Sequence, residues 1–202
     1  MDYVALDLET TGFDPARDRV IEVGAVAFDD RGRVADRLSS LADPGRGVPD
    51  AVLRLTGIDP RALPSAPPAA RVLERLGRFM EGRSAVGHGT RLEVGFLEAA
   101  GLWPAGAEML DTLDLARILL PSAPSHSLSE LSHTLGLEQP SAHRAFDDAD
   151  ATRQLLEHLR EVARALPPSL LERLQRLAEP YPWRVARFFV DEVARPSAPD
   201  RE

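Results

Sequence analysis

The chain has 202 residues, a formal net charge of −8 and no cysteine, which excludes disulfides and thiolate sites. No window approaches the roughly 18 consecutive apolar residues of a membrane span, and the first residues lack the basic region of a signal peptide, so we expect a cytoplasmic protein with no membrane partner. The negative charge argues against broad wrapping of nucleic acid but not against a small metal-filled site that grips a few phosphates.

The predicted elements follow one another in an α/β pattern. Residues 3–6 read as a buried strand, 19–28 and 33–38 as a hairpin, and 51–58 as a short helix. From there helices and strands alternate, with helices expected over 69–80, 91–100, 127–135 and 146–166 and strands over 84–88 and 108–112. A hairpin followed by such alternation predicts an α/β domain with a mixed central β-sheet flanked by helices.

The character of the sequence changes after Pro167 and Pro168. Residues 169–177 are amphipathic, 181–189 are aromatic and partly basic, and 195–200 are expected to be disordered. We therefore predict a domain over residues 1–166 and a helical, Pro-rich extension or linker over residues 167–202.

Two carboxylates stand at the end of the first strand. Because side chains alternate along a strand, Asp7 and Glu9 project from the same face, whereas Leu6 and Leu8 take the other. Two adjacent carboxylates repel each other and lose hydration when buried. A divalent cation such as Mg²⁺ would reverse both effects. The plain alternative is a pair of solvated acids at a strand end.

Two further acids are predicted to face inward from helices. Glu93 shares a helix face with Phe96, Leu97 and Ala100, although an acid in a first turn is also favoured by the helix dipole alone. In the last helix, Asp148 shares a face with the apolar residues Leu155 and Leu159 and with Thr152 and Val162. Asp150 aligns instead with Arg153, Gln154 and Glu157 and so points outward.

A histidine precedes the last of these acids by five residues. On a continuous helix His143 and Asp148 would lie about 140° apart, so they can share a pocket only if His143 is in the loop that enters the helix. A histidine there is suited to act as a general base at neutral pH. His88 ends a strand beside the same presumed site and is a further candidate, whereas His126, His133 and His158 are expected to be structural or exposed.

Three segments resemble, in order, the exonuclease motifs of the DEDDh family, which includes the proofreading subunits of bacterial replicative polymerases and has an RNase H-like fold. The segments are Asp7-Leu8-Glu9-Thr10-Thr11-Gly12, residues 86–97, and His143-Arg144-Ala145-Phe146-Asp147-Asp148-Ala149. Residues 55–58, 111–117 and 126–128 resemble the intervening segments, so the resemblance covers residues 2–165. Three such motifs, in the family's order and at sensible spacing, are highly specific for this family.

The resemblance implies a metal-dependent 3′→5′ exonuclease that uses two Mg²⁺ or Mn²⁺ ions. In it, Asp7 would bridge both ions. Glu9 and Asp148 would complete one metal site, Glu93 would support the second ion, and His143 would be the general base.

The resemblance also implies contacts to the substrate. Thr10, Thr11 and Gly12 would place backbone groups near the terminal nucleotide. Leu55 and Phe96 would pack against its base or sugar, which is a sequence-tolerant kind of contact.

Two positions depart from the family pattern. Gly89 stands where the family usually has asparagine, and Glu93 stands where it has aspartate. Glutamate is one methylene longer but can still reach a metal ion, directly or through water. We therefore predict an enzyme whose activity is either reduced or favours Mn²⁺ over Mg²⁺.

Several functions are consistent with the sequence. The leading one is digestion of single-stranded 3′ ends, DNA before RNA; the others are an oligoribonuclease-like RNA exonuclease, a degraded module that only binds or docks nucleic acid, and a small-molecule metal hydrolase. Residues 180–189 resemble the segment that follows the N-terminal exonuclease domain of DinG-type helicases. Expected partners are therefore a nucleic acid 3′ end and a polymerase or a helicase domain, although no phosphate-binding loop occurs in this chain.

Overall fold

Five strands form one mixed sheet in a computed structural model of the chain, which describes residues 2–104, 107, 109–178, 185 and 187–190. The strands are β1 Asp2–Thr10, β2 Val20–Asp29, β3 Val34–Leu41, β4 Ser84–Gly87 and β5 Leu110–Asp111. Their order is β3-β2-β1-β4-β5. β1, β2 and β3 pair antiparallel, whereas β4 and β5 add in parallel beside β1. This confirms the predicted mixed sheet.

Helices cover both faces of the sheet. They are α1 Asp50–Thr56, α2 Ala69–Met80, α3 Arg91–Ala99, α4 Thr112–Leu119, α5 Leu128–Leu135, α6 Ala145–Arg164 and α7 Pro168–Ala178. α2 and α3 pack on one face in a core cluster that includes Leu76 and Leu97. α4, α5 and α6 pack on the other face, around Leu115, Leu131 and Leu155. The sheet is thus buried between two helical layers.

Small differences from the predicted bounds concern helix ends. The third helix ends at Ala99, so Ala100 is exposed beyond it and does not share the buried face of Glu93, Phe96 and Leu97. The last predicted helix begins at Ala145 and ends at Arg164. Helix ends are set by capping contacts, which periodicity does not report.

β1 is longer than predicted and carries the two acids within the strand. Its alternation places Leu6 and Leu8 in the α2–α3 cluster and Tyr3 and Ala5 in the α6 cluster. β4 pairs only with residues 3–5 of β1, so the C-terminal half of β1 continues beside β2 alone. The acids therefore lie at an open rim of the sheet, on the α6 side.

α6 approaches the sheet most closely at Gly24 of β2. A Cβ atom on this glycine would lie 2.1 Å from the carbonyl carbon and oxygen of Ala145. Gly24 is the register partner of Asp7 on β1. Only glycine lets the first turn of α6 rest on the sheet here, and this contact sets the distance between the helix and the acidic end of β1.

The described part of the extension packs on the same core. Leu171 and Leu174 of α7 lie against the α6-side cluster, and Val185, Phe188 and Phe189 are buried within it. The predicted domain division stays a prediction, and the predicted disorder of 195–200 lies outside the described residues. Among the described helices, none combines the length and the apolar character that crossing a membrane requires.

Candidate active site

Three side chains converge where the end of β1 meets the start of α6. Glu9, His143 and Asp148 each place one potential ligand atom so that all three atoms lie within 4.8 Å of one another. The two carboxylates supply the oxygen ligands that Mg²⁺ and Mn²⁺ prefer, and the imidazole lies beside them. These residues could therefore hold a divalent cation.

Asp148 is held rigidly in the first turn of α6. Its side chain is buried and accepts hydrogen bonds from the Gln139 amide at 2.6 Å and the His143 backbone N–H at 3.0 Å. Asp150 pairs instead with Arg153 at 2.7 Å. The predicted inward direction of Asp148 and its difference from Asp150 both agree with the structure.

His143 lies in the turn before α6, as cooperation with Asp148 requires. Its φ is 62°, in the left-handed region, where it is the one non-glycine residue of the described chain. This conformation costs a non-glycine residue roughly 1–2 kcal/mol. The turn places the exposed imidazole on the same side as Asp148 although the two residues are five apart.

Glu93 is buried in the first turn of α3, and 5% of its surface is exposed. Its Oε2 atom has no hydrogen-bond partner. A buried carboxylate oxygen without a partner is destabilising unless a cation or a proton neutralises it. Glu93 is thus a suitable ligand for a cation at this rim, although it lies outside the three-residue group.

Burial perturbs all four acids, and repulsion from neighbouring carboxylates adds to its effect. Burial raises the pKa of Asp7 well above its usual range, and repulsion from Glu93, Asp148 and Glu9 raises it further. Burial also raises the pKa of Glu9 to about 8 and that of Glu93 to about 7. Without a cation, the site therefore retains protons near neutral pH.

The metal-free protein is expected to lose stability as pH rises. Because the folded pKa values of Glu9 (about 8) and Glu93 (about 7) exceed the ordinary 4.5, the folded state binds protons more tightly, and stability falls between about pH 4.5 and 8. Cations compete with these protons, so Mn²⁺ should raise Tm more at pH 8 than at pH 5.5. Thermal melts with and without Mn²⁺ measure both effects.

Glu9→Gln is the matched variant for this measurement, because it removes one titrating group and keeps the side-chain shape. Its metal-free Tm should depend less on pH than that of the parent chain. A parent Tm that rises across this pH range, or a Mn²⁺ effect that is equal at both pH values, would contradict the charge repulsion described above.

The loop after β1 is ordered by its own side chains. The Thr10 hydroxyl donates to the Gly12 carbonyl at 2.6 Å, and the Thr11 hydroxyl donates to Asp18 at 3.0 Å. A Cβ at Gly12 would lie 2.4 Å from Asp18 Oδ2. Both hydroxyls therefore donate within the loop, and the predicted contacts of its backbone groups to a nucleotide stay a prediction.

The predicted apolar contacts differ in accessibility. Leu55 is on the last turn of α1 and 56% exposed, whereas Phe96 is 4% exposed in the core cluster of α2 and α3. Phe96 also lines a cleft of about 520 Å³ together with Pro15 and Leu73. Phe13, which sequence reasoning did not select, is 89% exposed in the loop that follows Gly12.

His88 is tied into the fold through both ring nitrogens. Nδ1 lies 3.0 Å from the Thr112 hydroxyl and Nε2 lies 2.9 Å from the His126 carbonyl oxygen. These contacts join the end of β4 to the start of α4 and to the loop that precedes α5. Its predicted role beside the substrate stays a prediction, while its observed contacts are structural.

Asp111 orders the loop that leads to Glu93. This buried carboxylate accepts the backbone N–H groups of Gly89 and Thr90 at the entry to α3 and that of Leu113 in α4. Sequence reasoning did not select it. An acid at a strand end directly before a helix is a typical N-cap, and that signal could have identified Asp111.

Glu22 and Arg144 form a second contact that was not predicted. Glu22 of β2 is 2% exposed and is the register partner of Glu9, and it pairs with Arg144 at 2.7 Å. The available signal was a single acid within an apolar strand, which needs a partner when it is buried.

Together, the sheet order and a rim of acidic residues beside a histidine define a hydrolase site suited to divalent metals. A profile of the exonuclease family, described as Exonuclease, matches residues 4–156. The chain belongs to this family, which confirms the exonuclease family and the enzyme class, a nuclease that acts as a hydrolase, that the motifs indicated.

Relatives in sequence include 3'-5' exonuclease DinG of Bacillus subtilis, 32% identical over 88% of this chain and 19% of that protein. DNA polymerase III PolC-type of Bacillus cereus is 35% identical over 76% of this chain and 11% of that protein. DNA polymerase III subunit epsilon of Treponema pallidum is 34% identical over 76% of this chain and 74% of that one. The chain thus spans a fifth or less of the length of the first two.

The fold is shared with solved exonucleases. E. coli Exonuclease I in complex with a dT13 oligonucleotide matches with a TM-score of 0.72 and 21% identity, over 86% of this chain and 43% of that chain. This similarity confirms the predicted RNase H-like fold.

Proposed function

We propose that this chain removes nucleotides from single-stranded 3′ ends, with DNA preferred over RNA, using two divalent cations. The observation that carries the proposal is the convergence of Glu9, Asp148 and His143 within 4.8 Å at the rim of the sheet. Repulsion from Glu93, whose Oε2 atom has no hydrogen-bond partner, adds to the effect of burial in raising the pKa of Asp7. A cluster of like charges around one open rim fits a pair of cations better than it fits a purely structural role.

Each acid has a separate role in this proposal. Asp7, on the central strand, would be shared by both ions, Glu9 and Asp148 would hold one of them, and Glu93 would support the other. When bound, the ions supply positive charge that stabilises the phosphate and favours ionisation of the attacking water. His143, exposed at the edge of the group, would accept the proton of that water.

Exposed apolar side chains support a single-stranded substrate. Phe13 and Leu55 are 89% and 56% exposed; an unpaired base can stack on the Phe13 ring regardless of sequence, and Leu55 can pack against a base or sugar. The net charge of −8 provides little general attraction to a duplex backbone. The dT13 oligonucleotide held by the structurally similar Exonuclease I is consistent with this preference.

The experiment that tests the function is digestion of matched DNA and RNA oligonucleotides, single- and double-stranded, labelled at either end, with Mg²⁺ and with Mn²⁺. We expect mononucleotide release from the 3′ end of single-stranded DNA first, and none with EDTA. Faster RNA digestion would indicate an oligoribonuclease-like enzyme. Binding without cleavage would indicate a docking module, and cleavage of free nucleotide esters alone would indicate a small-molecule hydrolase.

The contribution of Glu93 can be measured with two variants. Glu93→Ala should lower exonuclease activity by about tenfold or more, as is typical when a group that supports a metal site is lost. Glu93→Asp should stay active and shift the preference from Mn²⁺ toward Mg²⁺. Rates at saturating concentrations of each ion provide the comparison, and full activity of Glu93→Ala would contradict a metal-supporting role.

The relatives support partners of two kinds. A DNA polymerase III subunit epsilon and a DinG protein both match this chain. We therefore propose that the chain acts with a polymerase or as part of a longer helicase-type protein, in the cytoplasm. A partner that binds the nucleic acid would compensate for the acidic surface of this chain.

A further inference from the structure

An ion pair between the buried Glu22 and the half-exposed Arg144 lies beside the acidic group. Glu22 is 2% exposed and stands opposite Glu9 in the β1–β2 register. A buried carboxylate beside another carboxylate is unfavourable unless a cation faces it. Arg144 provides that cation from the loop that enters α6.

The contact is bidentate and includes the start of the helix. Glu22 Oε1 accepts from Arg144 Nη2 at 2.7 Å, and Oε2 accepts from Arg144 Nε at 3.1 Å. The Ala145 backbone N–H donates to Glu22 Oε2 at 3.1 Å. The side chain of Arg144, the N-cap residue, does not cap α6. The Glu22 carboxylate of β2 takes that role instead.

This contact fixes the residues on either side of it. His143, with its left-handed φ of 62°, directly precedes Arg144, and Asp148 lies one turn further along α6. The strained turn persists only if its neighbours are held in place. The Glu22 contact and the close approach of Ala145 to Gly24 both hold the start of α6 on the sheet.

We propose that Glu22 and Arg144 are positioning residues, which hold Asp148 beside Glu9 so that the two carboxylates can bind a cation together, with the His143 imidazole held next to them as the base. This inference rests on the proposed function for its kinetic consequence. The effect of the Glu22–Arg144 pair on metal binding can be measured without any turnover. The positioning role and the proposed exonuclease function can therefore be contradicted separately.

The test uses Glu22→Gln in the full chain, which keeps the shape but removes the charge and one acceptor. We expect kcat on a 3′-labelled single-stranded oligonucleotide to fall about tenfold and the Kd for Mn²⁺, from electron paramagnetic resonance, to rise about tenfold. KM should stay within about twofold, because the substrate-contacting loop is not altered. Arg144→Lys should keep more activity than Arg144→Ala, since it keeps the charge but not the bidentate geometry.

The matched control is Glu157→Gln, which removes an ion pair of 2.7 Å with Arg160 on the same helix, away from the acids. It should lower Tm but leave kcat and the Mn²⁺ Kd unchanged. Parent-like kcat and Kd in Glu22→Gln would show that the pair only stabilises the fold. If Glu22→Gln does not fold, the kcat and the Mn²⁺ Kd of Arg144→Lys test the positioning role instead. If the parent chain cleaves no oligonucleotide, the Mn²⁺ Kd alone tests it.

Discussion

Replacing His143 with asparagine is expected to lower kcat by about 10²–10⁴-fold, the contribution typical of a general base. Asparagine tolerates the left-handed backbone that position 143 requires but cannot accept the proton. Stability and the backbone hydrogen bond to Asp148 should therefore be kept. Single-turnover rates at saturating Mn²⁺, together with thermal melts, measure the two effects.

Two further variants separate chemistry from backbone strain. His143→Gly keeps the turn without an imidazole and should match His143→Asn in kcat. His133→Asn, at an exposed position of α5, is the control for loss of a histidine elsewhere and should behave as the parent chain does. If His143→Asn retained more than about a tenth of the parent kcat, His143 would not be the base.

Phe189→Ala is expected to destabilise the protein by about 3–5 kcal/mol, the range for truncating a fully buried phenylalanine. Phe189 is 0% exposed, and its ring meets that of Phe188 edge to face with centroids 5.2 Å apart. The cavity would open within the α6-side cluster. Denaturant titration measures the change.

Val190→Ala is the control, because Val190 is 37% exposed and adjacent in sequence, and it should cost far less. A chain that ends at residue 166 would lose the same contacts and should unfold at lower denaturant concentration. If Phe189→Ala and the shortened chain were both as stable as the parent, the extension would be a linker that contributes nothing to the core.

The local sequence pattern was sufficient to predict which way a side chain points, where that direction follows from periodicity. Alternation along β1 placed Asp7 and Glu9 on one face, and the 3.6-residue period placed Glu93 and Asp148 inward. The length of β1 was underestimated because charged residues weaken a strand pattern. Pairing with β2 nevertheless continues through Asp7 and Glu9.

The contacts that were not predicted depend on partners far away in the sequence. Glu22 and Arg144 are 122 residues apart, and Asp111 binds an N–H group 22 residues before it. Such partners are set by how the elements pack, which a single sequence does not report. The position of His143 was left open for a different reason, since periodicity does not report the left-handed φ of 62° with which the chain enters α6.

The acidic group is assembled from the first strand and the last long helix of the sheet domain. Because Glu9 and Asp148 come from opposite ends of that domain, they meet only after the intervening chain has folded. Partly folded states that lack the contact between Gly24 and Ala145 would present the acids singly, and single acids bind cations weakly. Divalent cations should therefore bind the completed domain selectively, and Mn²⁺ binding would report, during refolding, the moment at which β1 and the start of α6 meet.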